Sequence, residues 1–432
     1  MKILAIETSC DETSIAIADF SGFKRAPRVR VLSHIVLSQI ALHQKFGGVV
    51  PNLARREHEK NLVPILLRSF NGAGFLRNES GIMNYESWKK SRPPRQFRNS
   101  GFIIHNSILQ REPELQKQFT KHLAHMSAPD IDAIAVTYGP GLTPALWVGV
   151  NFAKALAVLW KKPLIPVNHM EGHLFSALLS AEKTNLLSQI PNKHQSVLYP
   201  KPYTLTPLVF PALALLVSGG HTELVLVRGY GKYKIIGETL DDAAGEAFDK
   251  VARILGLGYP GGPAIAAETA KMQNDNVKLK IKLPRPMLNS KDYNFSFSGL
   301  KTAVLYLARD LKEERRSIKK LMPAIAKEFQ DAVVDVLVSK TIRAAKEFKV
   351  KTILLGGGVS ANHELRERLT KTLHAELPEA ESRMPEAALS GDNAFMIALA
   401  AYLSGKAKAP NKIGAEANVK IDDIPHEKAH RS

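Results

Sequence analysis

One pattern occurs twice in this chain, and it limits the architecture more than any other feature. Lys2 to Glu7 reads as an apolar strand, Thr8-Ser-Cys-Asp-Glu-Thr13 as a polar turn, and Ser14 to Ala18 as a second strand. Far downstream, Leu213 to Val217, the turn Ser218-Gly-Gly-His-Thr222 and the strand Leu224 to Val227 repeat it. A strand, a hydroxyl-rich turn and a strand near the start of each half predict two related lobes on one α/β plan, not one large sheet. βα units fill the intervals. Ile131 to Val136 is predicted as a strand, Gly139-Pro-Gly-Leu-Thr143 as its turn and Pro144 to Trp160 as a helix. Segments 241–256 and 318–348 have helical periodicity. A third glycine-rich turn, Gly356 to Asn362, follows the strand Thr352 to Leu355 and opens a helix over His363 to Thr372.

A length of 432 residues is enough for two lobes with a sizeable core. The single cysteine, Cys10, excludes an internal disulfide framework and fits a reducing cytoplasm. No apolar run is read as a membrane span, and because the first residues already form a strand, no leader is expected. The net charge of +18 favours a polyanionic partner, with nucleic acid first. Segment 76–127 carries nine Lys/Arg against four Asp/Glu, a local +5, which sets it apart from its surroundings. It and the polar, proline-bearing segment 184–207 are expected to be insertions, at most partly ordered. The basic tail 406–432 is expected to be flexible. Residues 1–168 are assigned to an N-terminal lobe, with a helix at about 393–405 packing back on it, and 169–392 to a C-terminal lobe.

Chemistry concentrates at Asn168-His-Met-Glu-Gly-His173, which follows the apolar run Pro163 to Val167. With Asn168 as helix N-cap, His169 and His173 stand four apart and project from one face. Two imidazoles so placed are half of a transition-metal site; a chance pair of core or surface histidines is the plain alternative. The order H-x-E-x-H differs from the zinc-protease H-E-x-x-H, and it turns Glu171 away from the metal face. Asp392 opens an apolar helix and is placed to be a third ligand from the other lobe, although the same position suits a helix N-cap. Two histidines and one carboxylate would leave coordination positions open for a substrate carbonyl.

Glycine-rich turns after strands bind phosphate through converging backbone N–H groups. Each of the three turns could equally be an ordinary loop, but together in a two-lobed chain they predict a nucleotide held between lobes. No P-loop motif is present, and Gly139-x-Gly141 lacks the third glycine of a dinucleotide fingerprint.

The chain resembles the TsaD group of bacterial tRNA N6-adenosine threonylcarbamoyltransferases, a family once labelled O-sialoglycoprotein endopeptidases. The resemblance runs from Ile3 to about Tyr402 outside the two insertions. It rests on Glu7 to Thr13, Gly48 to Pro51, Gly139 to Gly141, Asn168 to His173, Leu216 to Thr222, Asp241 to Lys250, Tyr259 to Pro263, Phe295 to Thr302, Gly356 to Asn362 and Asp392-Asn393. It implies an actin/Hsp70-like (ASKHA) fold of two ribonuclease-H-like lobes, with a nucleotide and metal cleft between them. It implies that His169, His173 and Asp392 hold one divalent metal, with Fe2+ ahead of Zn2+. Leu216, Val217, Ser218, Gly219 and Gly220, with Asp249, Gly262 and Asn362, would hold threonylcarbamoyl-AMP. The implied reaction transfers the threonylcarbamoyl group to N6 of adenosine 37 in tRNAs that read codons beginning with A. The implied partners are tRNA, TsaB and TsaE, with a TsaC-like enzyme supplying the adenylate.

Three departures from the family pattern stand out. Asn52 stands where Glu is frequent, Ser390-Gly391 replaces Cys-Thr, and Ala266 replaces an Asp after the Gly-Gly-Pro turn. None of the carried-over ligands is lost. Glu12, Asp11 and His221 are the candidates for the base that accepts the amine proton. Two rival readings remain at this level: a zinc metallopeptidase, and a non-catalytic ATPase-like scaffold.

Overall fold

The computed structural model describes residues 1–23, 26–75, 77–78, 81–82, 107–181, 195–198, 202–272, 281–314 and 317–423. Its first sheet contains β1 (Lys2–Glu7), β2 (Glu12–Phe23), β3 (Ala26–Ser38), β4 (Ala133–Gly139), β5 (Leu164–Asn168), β6 (Leu179–Ala181), β7 (Gln195–Leu198) and β8 (Pro202–Leu205). The strand order is β5-β4-β1-β2-β3-β8-β6, with β7 also paired to β3. The second sheet contains β9 (Ala212–Val217), β10 (Thr222–Gly229), β11 (Lys232–Glu238), β12 (Thr352–Gly356) and β13 (Glu381–Arg383), in the order β11-β10-β9-β12-β13.

Both sheets share one plan. β1 pairs antiparallel with β2 and parallel with β4, and β9 pairs antiparallel with β10 and parallel with β12. Numbered within its lobe, each sheet has the core order 3-2-1-4-5. This is the duplication that the repeated turns predicted.

Alternation along β1 fixes the layers, because successive side chains of a strand face opposite sides of its sheet. Leu4 and Ile6 pack outward against α1 (Pro51–Gly72), α2 (Pro113–His122) and α3 (Thr143–Trp160). Ile3 and Ala5 pack inward on α4 (His169–Ser176) and α10 (Ala394–Leu403), which also meet Ala214, Leu216, Val225 and Leu354 of the second sheet. The far side of that sheet is covered by α5 (Ala244–Ile254), α6 (Gly261–Lys271), α7 (Ser298–Glu313), α8 (Ile318–Glu347) and α9 (His363–Glu376). The result is an α/β/α/β/α stack with α4 and α10 in the central layer.

The structure corrects four expectations. Segment 76–127 is not simply appended: Leu109, Leu115 and Phe119 are fully buried, and α2 packs on α1. Residues 76, 79–80 and 83–106 of that segment lie outside the described residues. The segment 184–207 contributes β7 and β8, so the first sheet extends beyond the boundary expected at 168, while 184–194 and 199–201 lie outside the described residues. The tail is anchored as far as Asp423. Lys408 N donates to Leu164 O, Glu416 N to Tyr138 O, and Gly141 N to Ala417 O, while Ile413 and Ile421 are buried. Lys420 Nζ then pairs with Glu238 at 2.8 Å and the Ile235 N–H donates to Asp422 Oδ2 at 3.1 Å, so this strap ties both sheets together. Finally, α3 is long and apolar enough to cross a membrane by length and composition alone. Two thirds of it is buried, and it packs against α1 and β4 as a core helix.

Candidate active site and metal centre

The cleft forms where the carboxyl ends of β1, β4 and β5 meet those of β9 and β12, the position at which open α/β sheets receive ligands. Asn168 ends β5 and caps α4, its Oδ1 accepting from Met170 N at 2.9 Å and Glu171 N at 3.3 Å. The cap sets the start of α4, so His169 and His173 fall one turn apart with ring centroids 4.6 Å apart. Gly172 lies against α10, where an added Cβ would meet Ile397 and Met396 at 3.0 Å. That close approach brings Asp392 to the histidines. Asp392 Oδ1 lies 3.4 Å from His169 Nε2 and 3.1 Å from His173 Nε2.

The donor set fits a divalent transition metal. One ligand atom from each of the three residues lies within 4.8 Å of the others. His169 turns its other nitrogen, Nδ1, to Glu7 Oε2 at 3.1 Å, the outer-shell arrangement usual for metal-binding histidines. Burial opposes charge on His169, but the Asp392 and Glu7 carboxylates outweigh it and raise its pKa well above the ordinary value. Burial opposes charge on Asp392 too, and the two imidazoles hold it well below the carboxylate range.

Glu171 does point away. Its Oε1 accepts from Tyr233 Oη at 2.6 Å and Ser404 Oγ at 2.7 Å, and burial pushes its pKa up to about 7. The N-cap expected at Asp392 belongs to its neighbour: Asn393 Oδ1 accepts from Met396 N at 3.0 Å, which frees Asp392 to face the histidines.

Asp11 and Glu12 lie at the start of β2, beside this centre. Burial raises the pKa of both, and the Asp392 carboxylate adds to it in each case. Glu12 also accepts from Ser38 Oγ at 3.2 Å. Tyr259 lies against the same acidic corner: burial raises its phenol, with Asp11 and Asp249 as the next causes. His221 faces the centre from the opposite turn, where burial and then His169 and His173 lower it to about 4.

The Ser218–Thr222 turn is a tight hairpin in which Ser218 N donates to His221 O at 2.8 Å and His221 N to Ser218 Oγ at 3.1 Å. Gly219 and Gly220 are exposed, and a Cβ on either would meet open space. Gly357, at φ +87°, passes so close that a Cβ would lie 2.3 Å from Val217 O. This position therefore requires glycine, both for its left-handed backbone and for the close approach. Leu216 and Val217 are fully buried in the core, so only their backbones can serve a ligand. Asp249 accepts from Gly261 N at 2.6 Å at the start of α6, and Gly262 beside it has open space around its Cβ position. Asn362 caps α9, accepting from Leu365 N at 3.0 Å and donating to Gln330 Oε1 at 2.9 Å. Across the cleft mouth, the Arg253 guanidinium donates to the Gly47 carbonyl and links the lobes.

Sequence reasoning missed Glu7, Ser9 and Thr137. Glu7 stood in a motif noted for its turn and for the resemblance but given no role, and Thr137 at the end of an apolar strand. Their meeting depends on the parallel pairing of β1 and β4, which no local pattern reports.

Duplicated sheets of order 3-2-1-4-5, sharing a central helical layer and a cleft with a His–His–Asp cluster, define a two-lobed protein of the actin/Hsp70-like (ASKHA) class. The model of the TsaD family, described as tRNA N6-adenosine threonylcarbamoyltransferase, matches residues 30–79, 114–199 and 189–399. The chain is similar to the tRNA N6-adenosine threonylcarbamoyltransferase of Thermomicrobium roseum, 41% identical over 423 residues, covering 93% of this chain and 91% of the relative. The enzyme of that name from Bacillus subtilis is 40% identical over 404 residues, covering 94% and 90%. Among solved structures, full-length HypF in its phosphate- and nucleotide-bound form is 13% identical with a TM-score of 0.40, covering 72% of this chain and 42% of that one. The chain belongs to the TsaD family.

Proposed function

We propose that the chain transfers the threonylcarbamoyl group from threonylcarbamoyl-AMP to N6 of adenosine 37, in tRNAs that read codons beginning with A. The observation that carries this reading is the convergence of His169, His173 and Asp392 opposite the open Gly219-Gly220 turn, in a member of this family. A divalent metal held by those three residues, Fe2+ ahead of Zn2+, would supply positive charge against the carbonyl oxygen of the threonylcarbamoyl group. The N–H groups of Gly219 and Gly220 would bind the adenylate phosphate, with Asp249, Gly262 and Asn362 lining the nucleotide side. As N6 bonds to the carbonyl carbon, the carbon–oxygen bond to phosphate breaks, AMP leaves, and a proton passes from N6 to the protein.

Glu12, Asp11 and His221, which lie around the centre, are the candidates to take that proton. Burial raises the two carboxyl groups and pushes the His221 imidazole down to about 4. An exocyclic adenine amine is a poor nucleophile, so orientation in the cleft supplies much of the rate. The net charge of +18 supports tRNA as the acceptor, an anticodon-loop base being accessible once unstacked. TsaB and TsaE as working partners, a TsaC-like supplier of the adenylate, and a cytoplasmic setting complete the proposal. The peptidase reading is disfavoured because Glu171, held by Tyr233 and Ser404, is not placed as its general base.

Mass spectrometry of nucleosides from tRNA incubated with the protein, TsaB, TsaE and threonylcarbamoyl-AMP tests the reading. Threonylcarbamoyladenosine made by the parent and lost in Asp392→Ala is expected. No product from the folded, metal-loaded parent would overturn it.

A further inference from the structure

The two histidines of the centre are supported unequally. His169 Nδ1 has Glu7 Oε2 at 3.1 Å and Ser9 Oγ at 3.2 Å. His173 Nδ1 is buried and, among the described residues, has no hydrogen-bond partner. Glu7 is itself fully buried and tightly held. Ser9 N donates to its Oε1 at 2.5 Å and Thr137 Oγ1 to its Oε2 at 2.5 Å. Thr137 reaches it because β1 and β4 run parallel with Ile6 opposite Val136, so the next residues of both strands point into the cleft floor together.

We propose that Glu7 is the positioning residue of the centre, taking the Nδ1–H of His169 and thereby fixing that ring with Nε2 turned toward Asp392 and the cleft. The inference rests on the reading of His169, His173 and Asp392 as a metal site. Glu7 touches no substrate in this role; it acts through His169. Three donors converge on its carboxylate, so the isosteric Glu7→Gln has one acceptor oxygen too few, and its amide must oppose a donor. The ring then loses its preferred tautomer and orientation. Loss of such an outer-shell partner weakens metal binding by about 10- to 100-fold. His173 has no equivalent support among the described residues, so His169 carries most of the preorganisation.

The test is titration of the metal-free full-length protein with Co2+, followed by calorimetry and by the visible ligand-field bands of the bound ion. Neither readout depends on catalysis, and a merely structural role for Glu7 would leave both unchanged in a folded variant. The parent should bind one Co2+, and Asp392→Ala should abolish it; retention of that ion in Asp392→Ala would overturn the metal-site reading and the inference with it. Glu7→Gln should raise the Co2+ dissociation constant by about 10- to 100-fold and alter the bands. An affinity within about twofold of the parent, with unchanged bands, would overturn the inference while leaving the metal site intact. Thr137→Val, which removes one donor to Glu7 and keeps the shape, serves if Glu7→Gln does not fold. It should weaken Co2+ by about threefold or more, and no change would count against the role of Glu7.

Discussion

His173 Nε2 and Asp392 Oδ1 stand 3.1 Å apart, although 219 residues separate them in the chain. The contact exists because α4 and α10 share the central layer. Asp392→Ala should reduce threonylcarbamoyladenosine formation by about 100-fold or more while adenylate binding persists, since the phosphate-side turn is untouched. Product mass spectrometry and equilibrium binding of the adenylate check the two halves. Full modification by the variant would favour a scaffold role for the centre.

Tyr233→Phe should destabilise the fold without removing the metal site. Glu171 is buried and keeps only Ser404 Oγ once the phenol is gone. A buried group left short of a hydrogen bond costs about 1–3 kcal/mol, readable in urea unfolding. Bound metal per chain should stay at the parent level.

His34 should make the protein acid-sensitive. Both of its ring nitrogens are buried and, among the described residues, unpartnered, and burial pushes its pKa down to about 4. As pH falls from about 6.5 toward 4, the unfolded chain takes up a proton that the folded one resists, so stability is lost across that window and is complete above it. Glu171 and Glu223, both pushed up to about 7, act in the opposite sense between about 4.5 and 7. Comparison with His34→Phe isolates the histidine. Between pH 7 and 5 the parent should lose about 2 kcal/mol relative to the variant, by urea unfolding at each pH.

Gly139 should reveal the strap. A Cβ there would lie 1.9 Å from Glu416 O and 2.9 Å from Val419 Cγ1, and its three nearest atoms all belong to the tail. Gly139→Ala should cost about 1–3 kcal/mol more in the full chain than in a chain ending at Gly405, where only the strain of its +157° backbone remains. Equal effects in both backgrounds would mean that the crowding arises elsewhere.

The sequence made some of this readable. β1 and β9 are apolar runs bounded by polar turns, and the i, i+4 spacing of His169 and His173 with a capping Asn168 is a local fact, so lobes and metal face could be read. Asp392 could be put forward from its place at the start of an apolar helix, although the same place suits a cap; Asn393 holds the cap instead. Glu7 with Thr137 was not readable, because the pair depends on strand register between segments 130 residues apart. The tail was misread because Ile413 and Ile421 are two apolar residues spread among lysines, with no period to betray burial. Residues Leu115 and Phe119 of α2 were hidden likewise by polar neighbours.

α10 makes the first strands of the protein depend on residues synthesised some 380 positions later. Ala394 N donates to Ser14 Oγ at 2.9 Å, 380 residues away, and α10 covers Ile3, Ala5, Ala16 and Ala18. While a ribosome is still translating the second half, those inner faces lack the cover of α10, and contacts of such sequence separation form late. The first lobe therefore cannot mature as an independent unit during synthesis. A nonsense codon before 394 would strip the amino-terminal half of this cover as surely as it truncates the carboxy-terminal half.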